Sequence, residues 1–336
     1  MIEKIPSRGT GIPSPPARVN FHRRYIVYGL VVDSAFPLAT VPEAADRKAA
    51  ADICIELASD EFFRARAEGL PPPAADDDWI HYSVLADGSV YIVVRNILRT
   101  VVSADGRQAG CAWADGADRT AFEANFLNFV LSTALTLQGE EPFHATVLDL
   151  GGRVIGLLGP SGAGKSTLAA CLIGRGADLV TDDMLRLELH GARALVHAGP
   201  YRLKLHRDSA ERFLPGAAQR GYFNLVTEKI LVQPRPDLPS GGAPRQLAAL
   251  FWLGDVPAGD SAGHGARADR MSGLALARAL IASAMNIRYH APDRLERRLR
   301  FVERVAKVLP VYALAYKRDF AIMDRVAEEI GRVMRA

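Results

Sequence analysis

Gly159-Pro160-Ser161-Gly162-Ala163-Gly164-Lys165-Ser166-Thr167 fits G-x-x-x-x-G-K-[ST], the glycine-rich loop that cradles phosphates. The apolar run Val154-Ile155-Gly156-Leu157-Leu158 leads into it, and Leu168-Ala169-Ala170-Cys171-Leu172-Ile173 leads out with helical character. Strand, glycine loop and helix are the context this pattern requires. Glycines let backbone N–H groups turn towards phosphate oxygens where a side chain would block approach. The following helix adds its positive N-terminal end. The stretch therefore predicts a nucleoside triphosphate site, for ATP or GTP with Mg²⁺. Residues Gly159 to Thr167 form the cradle, Lys165 reaches the β and γ phosphates, Ser166 is the expected Mg²⁺ ligand, and Thr167 contacts phosphate.

Such a site needs a carboxylate on the metal side and a group that orients the nucleophile. Asp182-Asp183 follows the short apolar strand Ala177 to Thr181, 17 residues beyond Lys165. Adjacent carboxylates at a strand end can divide the work. Asp182 is assigned here as proton acceptor and Asp183 as the second Mg²⁺-side group. The competing reading is a solvated turn. His144 opens the strand next to the one that feeds the glycine loop. A neutral imidazole there would orient a carboxylate, although a lone strand histidine is more often a core residue. Arg202, Lys204 and Lys229 are candidate cations for a transferred phosphoryl group, with surface exposure as their default. Asp255 is a fallback carboxylate.

Around this core the pattern divides the chain. Residues 1–20 read as a flexible arm. Residues 21–116 read as a small antiparallel β-rich domain. It includes a strand over Tyr25 to Val32, a half-buried strand over Asp52 to Leu57, and turns at Asp87-Gly88 and Asp105-Gly106. Pro71-Pro72-Pro73 and Asp76-Asp77-Asp78 read as a solvated loop. Residues 117–140 predict a bridging helix that starts at a Thr120/Glu123 capping box. Its apolar face is Phe122, Phe126, Phe129, Thr133 and Leu137. Residues 141–336 alternate strands and helices as an α/β P-loop domain does. Pro234 to Pro244 and Gly254 to Ala268 are loops. Near the end, Asp293 and Glu296 have N-cap and N3 spacing, and Leu295, Leu299, Val302, Ala306 and Leu309 form a stripe. Arg294, Arg297, Arg298, Arg300 and Arg304 then fall on a solvated face. Val311 to Leu314 is a strand and Asp324 to Val333 a closing helix.

The order of His144, a strand hairpin, the glycine loop, a helix and Asp182-Asp183 resembles the HPr kinase/phosphorylase family and its diverged relatives. Phe143-His144-Ala145, Gly159 to Thr167 and Val180-Thr181-Asp182-Asp183 carry the resemblance. The wider layout is similar to HPr-kinase-related proteins encoded near peptide-modification genes, some of which resemble lasso-peptide tailoring kinases. Tyr28-Gly29-Leu30 and Phe36-Pro37-Leu38 look like the opening of their front domain. The resemblance implies an α/β P-loop kinase core, ATP and Mg²⁺, and a serine of a peptide or small protein as acceptor. It also implies that His144 contacts a catalytic aspartate. Ala145 stands where members acting on HPr carry glycine, and no Arg-Gly-Leu-Gly segment follows the core. These departures point away from HPr as substrate, from phosphorylase activity and from the hexamer of those enzymes.

Composition narrows the rest. The 336 residues carry a formal net charge of +3, too small to argue for nucleic acid or a membrane surface as partner. Three scattered cysteines, Cys54, Cys111 and Cys171, suggest reduced thiols and a cytoplasmic setting. No secretory signal and no membrane-length apolar run is read. Leu238-Pro239-Ser240-Gly241-Gly242 faintly resembles an ABC signature, but the strand Ala248 to Leu253 follows too soon. No Asn-Lys-x-Asp guanine motif appears. The expectation is a serine kinase of HPr-kinase type, with a homo-oligomer left open. Its alternatives are a small-molecule kinase, or a nucleotide-binding regulatory or peptide-binding module without transfer.

Overall fold

The computed structural model describes residues 23–45, 49–70, 79–224, 226–235, 242–253, 265–286, 289 and 291–335. The arm, the proline and aspartate runs between 71 and 78, the ABC-like segment at 238–241, Asp255 and most of the two small-residue loops lie outside these.

The front of the chain forms one seven-stranded sheet. Its strands are β1 (Arg23–Val27), β2 (Leu30–Ser34), β3 (Ile53–Leu57), β4 (Ile80–Val84), β5 (Val90–Val94), β6 (Leu98–Val102) and β7 (Gln108–Trp113), in the order β1-β2-β3-β7-β6-β5-β4. Helix α1 (Asp60–Ala67) follows β3. The sheet is mixed rather than wholly antiparallel, because β3 runs parallel to both β2 and β7. The expected strand over Tyr25 to Val32 is a hairpin. Tyr28 and Gly29 both take positive φ, 53° and 73°, the backbone of a two-residue turn that matches strand twist. A Cβ on Gly29 would collide with His197.

The bridging helix is α2 (Arg119–Asn125), a π-turn over Phe126–Val130, and α3 (Leu131–Leu137). Asp118, not Thr120, caps it, accepting from the Ala121 amide at 2.8 Å. Glu123 leaves the helix end altogether: its carboxylate takes the amides of Ala39 and Thr40, each at 2.7 Å. Spacing allowed a capping box, but the loop at 39–40 offered more donors. Phe122, Phe126 and Leu131 pack into the core of the front sheet, while Asn125 donates to the Phe223 carbonyl of the second half. The helix is buried nearly all round, as one wedged between two layers should be.

The second half is α/β. Its main sheet holds β8 (Phe143–Asp149), β9 (Val154–Leu158), β10 (Asp178–Thr181), β11 (Met184–Leu185), β12 (Leu187–His190), β13 (Arg193–Val196), β17 (Arg245–Trp252), β18 (Ala266–Arg270) and β19 (Val311–Tyr316). The path is β10-β8-β9-β17-β13-β12, with β19 parallel beside β17. A smaller sheet, β14 (Leu203–Leu205), β16 (Ile230–Gln233) and β15 (Ala218–Tyr222), sits apart. The helices are α4 (Lys165–Gly174), α5 (Arg207–Phe213), α6 (Gly273–Ala282), α7 (Pro292–Val308) and α8 (Met323–Arg335). β9 is buried at every residue, as a strand covered on both faces must be.

Helix α7 departs from its sequence reading. Ala291 is the N-cap, with no side-chain cap. Asp293 and Glu296 instead pair with Arg297 and Arg300 one turn on. Leu295 and Leu299 are exposed, and the apolar seam runs through Val302, Val305 and Leu309. Arg294 is not solvated. It is only 1% exposed, held 3.0 Å from Glu141 and by the carbonyls of Met285 and Tyr289. Among the described residues no helix is long and apolar enough to cross a membrane. Cys54, Cys111 and Cys171 are free.

Candidate active site

Two glycines and one lysine set the glycine loop. Gly159 has φ 146°, and a Cβ there would lie 2.6 Å from the Leu253 carbonyl oxygen at the end of β17. Gly164, φ 94°, is the N-cap of α4 and carries no side chain that would occupy the amides of the first turn. Lys165 is buried, and its Nζ donates to the Gly159 and Pro160 carbonyls at 2.7 and 3.0 Å. The ammonium thus lies folded against its own loop.

β8 runs antiparallel to β9, with Ala145 opposite Leu158. That register puts His144 beside the entrance to the loop. β10 and β11 both pair with β8, and Asp182-Asp183 is the kink between them. The kink is made by Asp183 itself, at φ 68°. A left-handed non-glycine residue is uncommon, and aspartate is among those that tolerate it. The conformation turns the two carboxylates apart.

Asp182 points into the protein. Its Oδ1 accepts from Thr146 Oγ1 at 2.7 Å and its Oδ2 from the Lys204 amide at 2.9 Å. Asp183 Oδ2 lies 2.8 Å from Lys204 Nζ, and that ammonium also stands 3.9 Å over the Phe223 ring. The pocket at the glycine loop, about 140 Å³, is lined by Ser166, Lys165, His144, Asp183, Lys204 and Lys229, among others. Asp182 lines instead a space of about 10 Å³ with Tyr28, Asn128 and Arg202, room for a single water. Asp183 borders both. The sequence assigned Asp182 to the reacting hydroxyl; the carboxylate beside Lys165 and Ser166 is that of Asp183.

The His144 ring meets the main-chain carbonyl of Asp183, Nδ1 to O at 3.1 Å, rather than its carboxylate. A carbonyl only accepts, so Nδ1 carries the proton and Nε2 is left with its lone pair. Burial, then the Lys165 charge, pushes this histidine down to about 4, so the ring is neutral near pH 7. Burial lowers Lys165 to about 8, and burial and Lys204 also lower Lys229. Burial raises Asp182, and the neighbouring Asp183 charge adds to this. For Asp183 burial works the same way, but Lys204 and His144 outweigh it and hold the carboxyl below its usual range.

Lys204 and Lys229 were given a surface default from sequence, and the structure brings both to the pocket. Arg202 is not a pocket cation. It donates to Thr40 Oγ1 at 2.8 Å and the Ala124 carbonyl at 3.2 Å, tying the small sheet to the front half. Tyr28 and Asn128 were missed. Their only sequence signal was the Tyr28-Gly29-Leu30 segment of the resemblance, and Asn128 had none.

The residues present fit a phosphate group with a divalent cation. Among the described residues, the lysines Lys165, Lys204 and Lys229 and the carboxylate residue Asp183 line one small open pocket at a helix N-terminus. The space is well under the ~300–1,000 Å³ that encloses a drug-sized ligand, so it suits the phosphate end of a nucleotide rather than the whole. Mg²⁺ is commonly held by one or two protein oxygens plus substrate phosphates, and Ser166 would supply such an oxygen.

No family model matches the chain, and no curated protein does. Among solved structures it is similar to the Hpr(Ser) kinase/phosphatase from Coxiella burnetii, with 11% identity and a TM-score of 0.31. The match covers 58% of this chain and 96% of that one. A likeness this loose carries no argument about fold or activity, and the reading below rests on the site's own geometry.

Proposed function

We propose that this protein is an ATP-dependent kinase that moves the γ-phosphoryl group of ATP to a hydroxyl, that of a serine in a peptide or small protein. One observation carries the reading: among the described residues, Lys165, Lys204 and Lys229 converge with the N-terminus of α4 on a pocket that the carboxylate residue Asp183 also lines. A phosphate-binding pocket needs the cations. A carboxylate set among them can orient an acceptor hydroxyl.

In this reading Lys165 leaves the Gly159 and Pro160 carbonyls for the β and γ phosphates. Ser166 would hold the Mg²⁺, whose charge would offset that of the phosphates, and the Asp183 carboxylate is left for the acceptor hydroxyl. The bond from γ-phosphorus to the β–γ bridging oxygen breaks, a bond to the acceptor oxygen forms, and the hydroxyl proton passes to Asp183. Phosphoryl transfer asks the protein mainly for positioning and charge stabilisation. A carboxylate kept ionised by Lys204 is suited to orienting the hydroxyl. Asp182, closed off by Thr146 and the Lys204 amide, fixes the geometry of Asp183 and Lys204 rather than touching substrate. His144 holds the kink through the Asp183 carbonyl.

The test is incubation with ATP labelled in its γ-phosphate and peptides encoded by neighbouring genes, read by mass spectrometry. Label on a peptide serine supports the proposal. Unchanged peptides with labelled small metabolites would replace it with a small-molecule kinase.

A further inference from the structure

A larger groove, about 530 Å³, lies at the outer edge of the main sheet. β12 is three strand positions from β9, roughly 14 Å at the usual strand spacing. The groove shares no lining residue with the glycine-loop pocket. One wall is β12 itself, Leu187 to His190; the other is the face of α7 carrying Arg297, Arg300, Phe301 and Arg304.

Two features of these walls point to a ligand. First, β12 pairs with β13 on one side, and no strand pairs with its other side among the described residues. The strand that lines the groove is thus an edge strand, and an unpaired edge is the template for an added strand. Second, the cations across the groove are under-matched. The acids on this surface are already taken: Glu140 by both ends of the Arg186 fork at 2.8 Å, Glu141 by Arg294, and Glu188 by His197. Arg300 holds only an exposed i,i+4 pair with Glu296, of the kind worth little. Among the described residues Arg297 likewise holds an exposed i,i+4 pair, with Asp293. Half-buried Phe301 and Leu189 supply apolar contact between the charges.

We infer that this groove takes an extended acidic peptide segment, added as a strand beside β12, with its carboxylates towards Arg297, Arg300 and Arg304. The backbone ladder supplies affinity without sequence, and the arginines select acidic residues. Resting on the kinase reading above, the segment is the recognition part of the peptide acceptor, held apart from the serine that enters the glycine-loop pocket.

The experiment uses the full chain without nucleotide, so that its result does not depend on phosphoryl transfer. A fluorescent peptide of alternating glutamate and valine is titrated by anisotropy, with a lysine–valine peptide as control. Amide hydrogen exchange is followed in parallel. The glutamate peptide should bind and the lysine peptide should not. Affinity should fall at least tenfold in the Arg300→Glu/Arg304→Glu double variant and weaken with salt, and the amides of 187–190 should exchange more slowly in the complex. Unaltered affinity in the double variant, or binding without protection of β12, would overturn the inference. So would pairing of β12 with a second copy of the chain, seen as concentration-dependent protection without peptide. A wild-type protein that binds the glutamate peptide but labels nothing in the separate incubation with γ-labelled ATP and serine-containing peptides would remove the kinase reading and leave the groove.

Discussion

Lys204 holds both aspartates of the candidate site with one residue: its ammonium lies 2.8 Å from Asp183 Oδ2 while its amide donates to Asp182 Oδ2 at 2.9 Å. The main-chain bond anchors the residue in β14, and the side chain then sets the charge of the pocket. Replacing Lys204 with Met keeps the amide bond and removes the ammonium. We expect turnover to fall roughly 100-fold, within the range for a charged group acting on a transferring phosphoryl, with ATP affinity reduced less. The sharper readout is pH. Lys204 lowers Asp183, so in the variant the acid limb of the rate profile should move to higher pH. A limb that stays put would mean that Asp183 does not titrate with the activity.

Asp182→Asn tests the division of labour between the carboxylates. Both oxygens of Asp182 accept hydrogen bonds, and asparagine keeps one acceptor oxygen and puts a donor NH₂ in place of the other. We expect a stability loss of about 1–3 kcal/mol, the cost of a mismatched buried polar group, with substantial transfer retained. Denaturant titration and initial rates measure the two. Complete loss of transfer in a stably folded variant would return the proton-acceptor role to Asp182.

Lys165 predicts a proton linkage. Burial depresses its pKa to about 8, below the unfolded value. Between those two values the folded protein carries less charge here than the unfolded chain, so this lysine disfavours folding increasingly as pH falls through that window. A bound phosphate supplies the missing anion and raises the pKa again. ATP binding in EDTA at pH 8.5 should therefore take up protons, and uptake should fade towards pH 7, where the lysine is already charged. Calorimetry in buffers of different ionisation enthalpy reads it. Lys165→Ala should reduce the uptake to the part that Lys229 supplies and abolish nucleotide turnover; an unchanged uptake or persisting turnover would contradict the assignment.

Arg294 and Glu141 are each buried, 3.0 Å apart. Arg294→Met leaves the glutamate without its main partner, although Arg298 remains 3.4 Å away. We expect a loss of about 3 kcal/mol, the lower end for breaking a buried pair, measured by urea unfolding. A change within experimental error would show that Arg298 and water compensate. Changing both residues to a methionine–leucine pair should recover much of the loss.

What the sequence made legible follows the range of each signal. The strand, loop and helix at 154–174 are local, so glycine spacing and apolar runs sufficed. Asp182-Asp183 was visible as a pair, but which carboxylate meets the pocket depends on the left-handed φ of Asp183 and on partners, Thr146 and Lys204, from distant strands. The alternation of Arg202 and Lys204 with apolar residues was equally compatible with an exposed edge. Only the packing of β14 against the kink separates them, sending Lys204 to Asp183 and Arg202 to Thr40. Two spacings that matched helix caps failed for different reasons: Glu123 is taken by the Ala39 and Thr40 amides, and α7 starts after Ala291, which puts Asp293 inside its first turn. Tyr28 and Gly29 sit in an apolar run that reads as strand, and the turn is visible only in their positive φ.

The central claim is that Asp183 stands at the reacting hydroxyl in a cationic phosphate pocket. Its most direct test pairs equilibrium titration of Mg²⁺–ATP with rapid-quench measurement of γ-phosphoryl transfer in wild type and Asp183→Asn. We expect ATP to bind both proteins, with affinity changed less than transfer. Transfer should fall about 10²–10⁴-fold in the variant, the range for losing a positioned proton acceptor. ATP that fails to bind the wild type, or a variant that transfers at the wild-type rate, would contradict the claim.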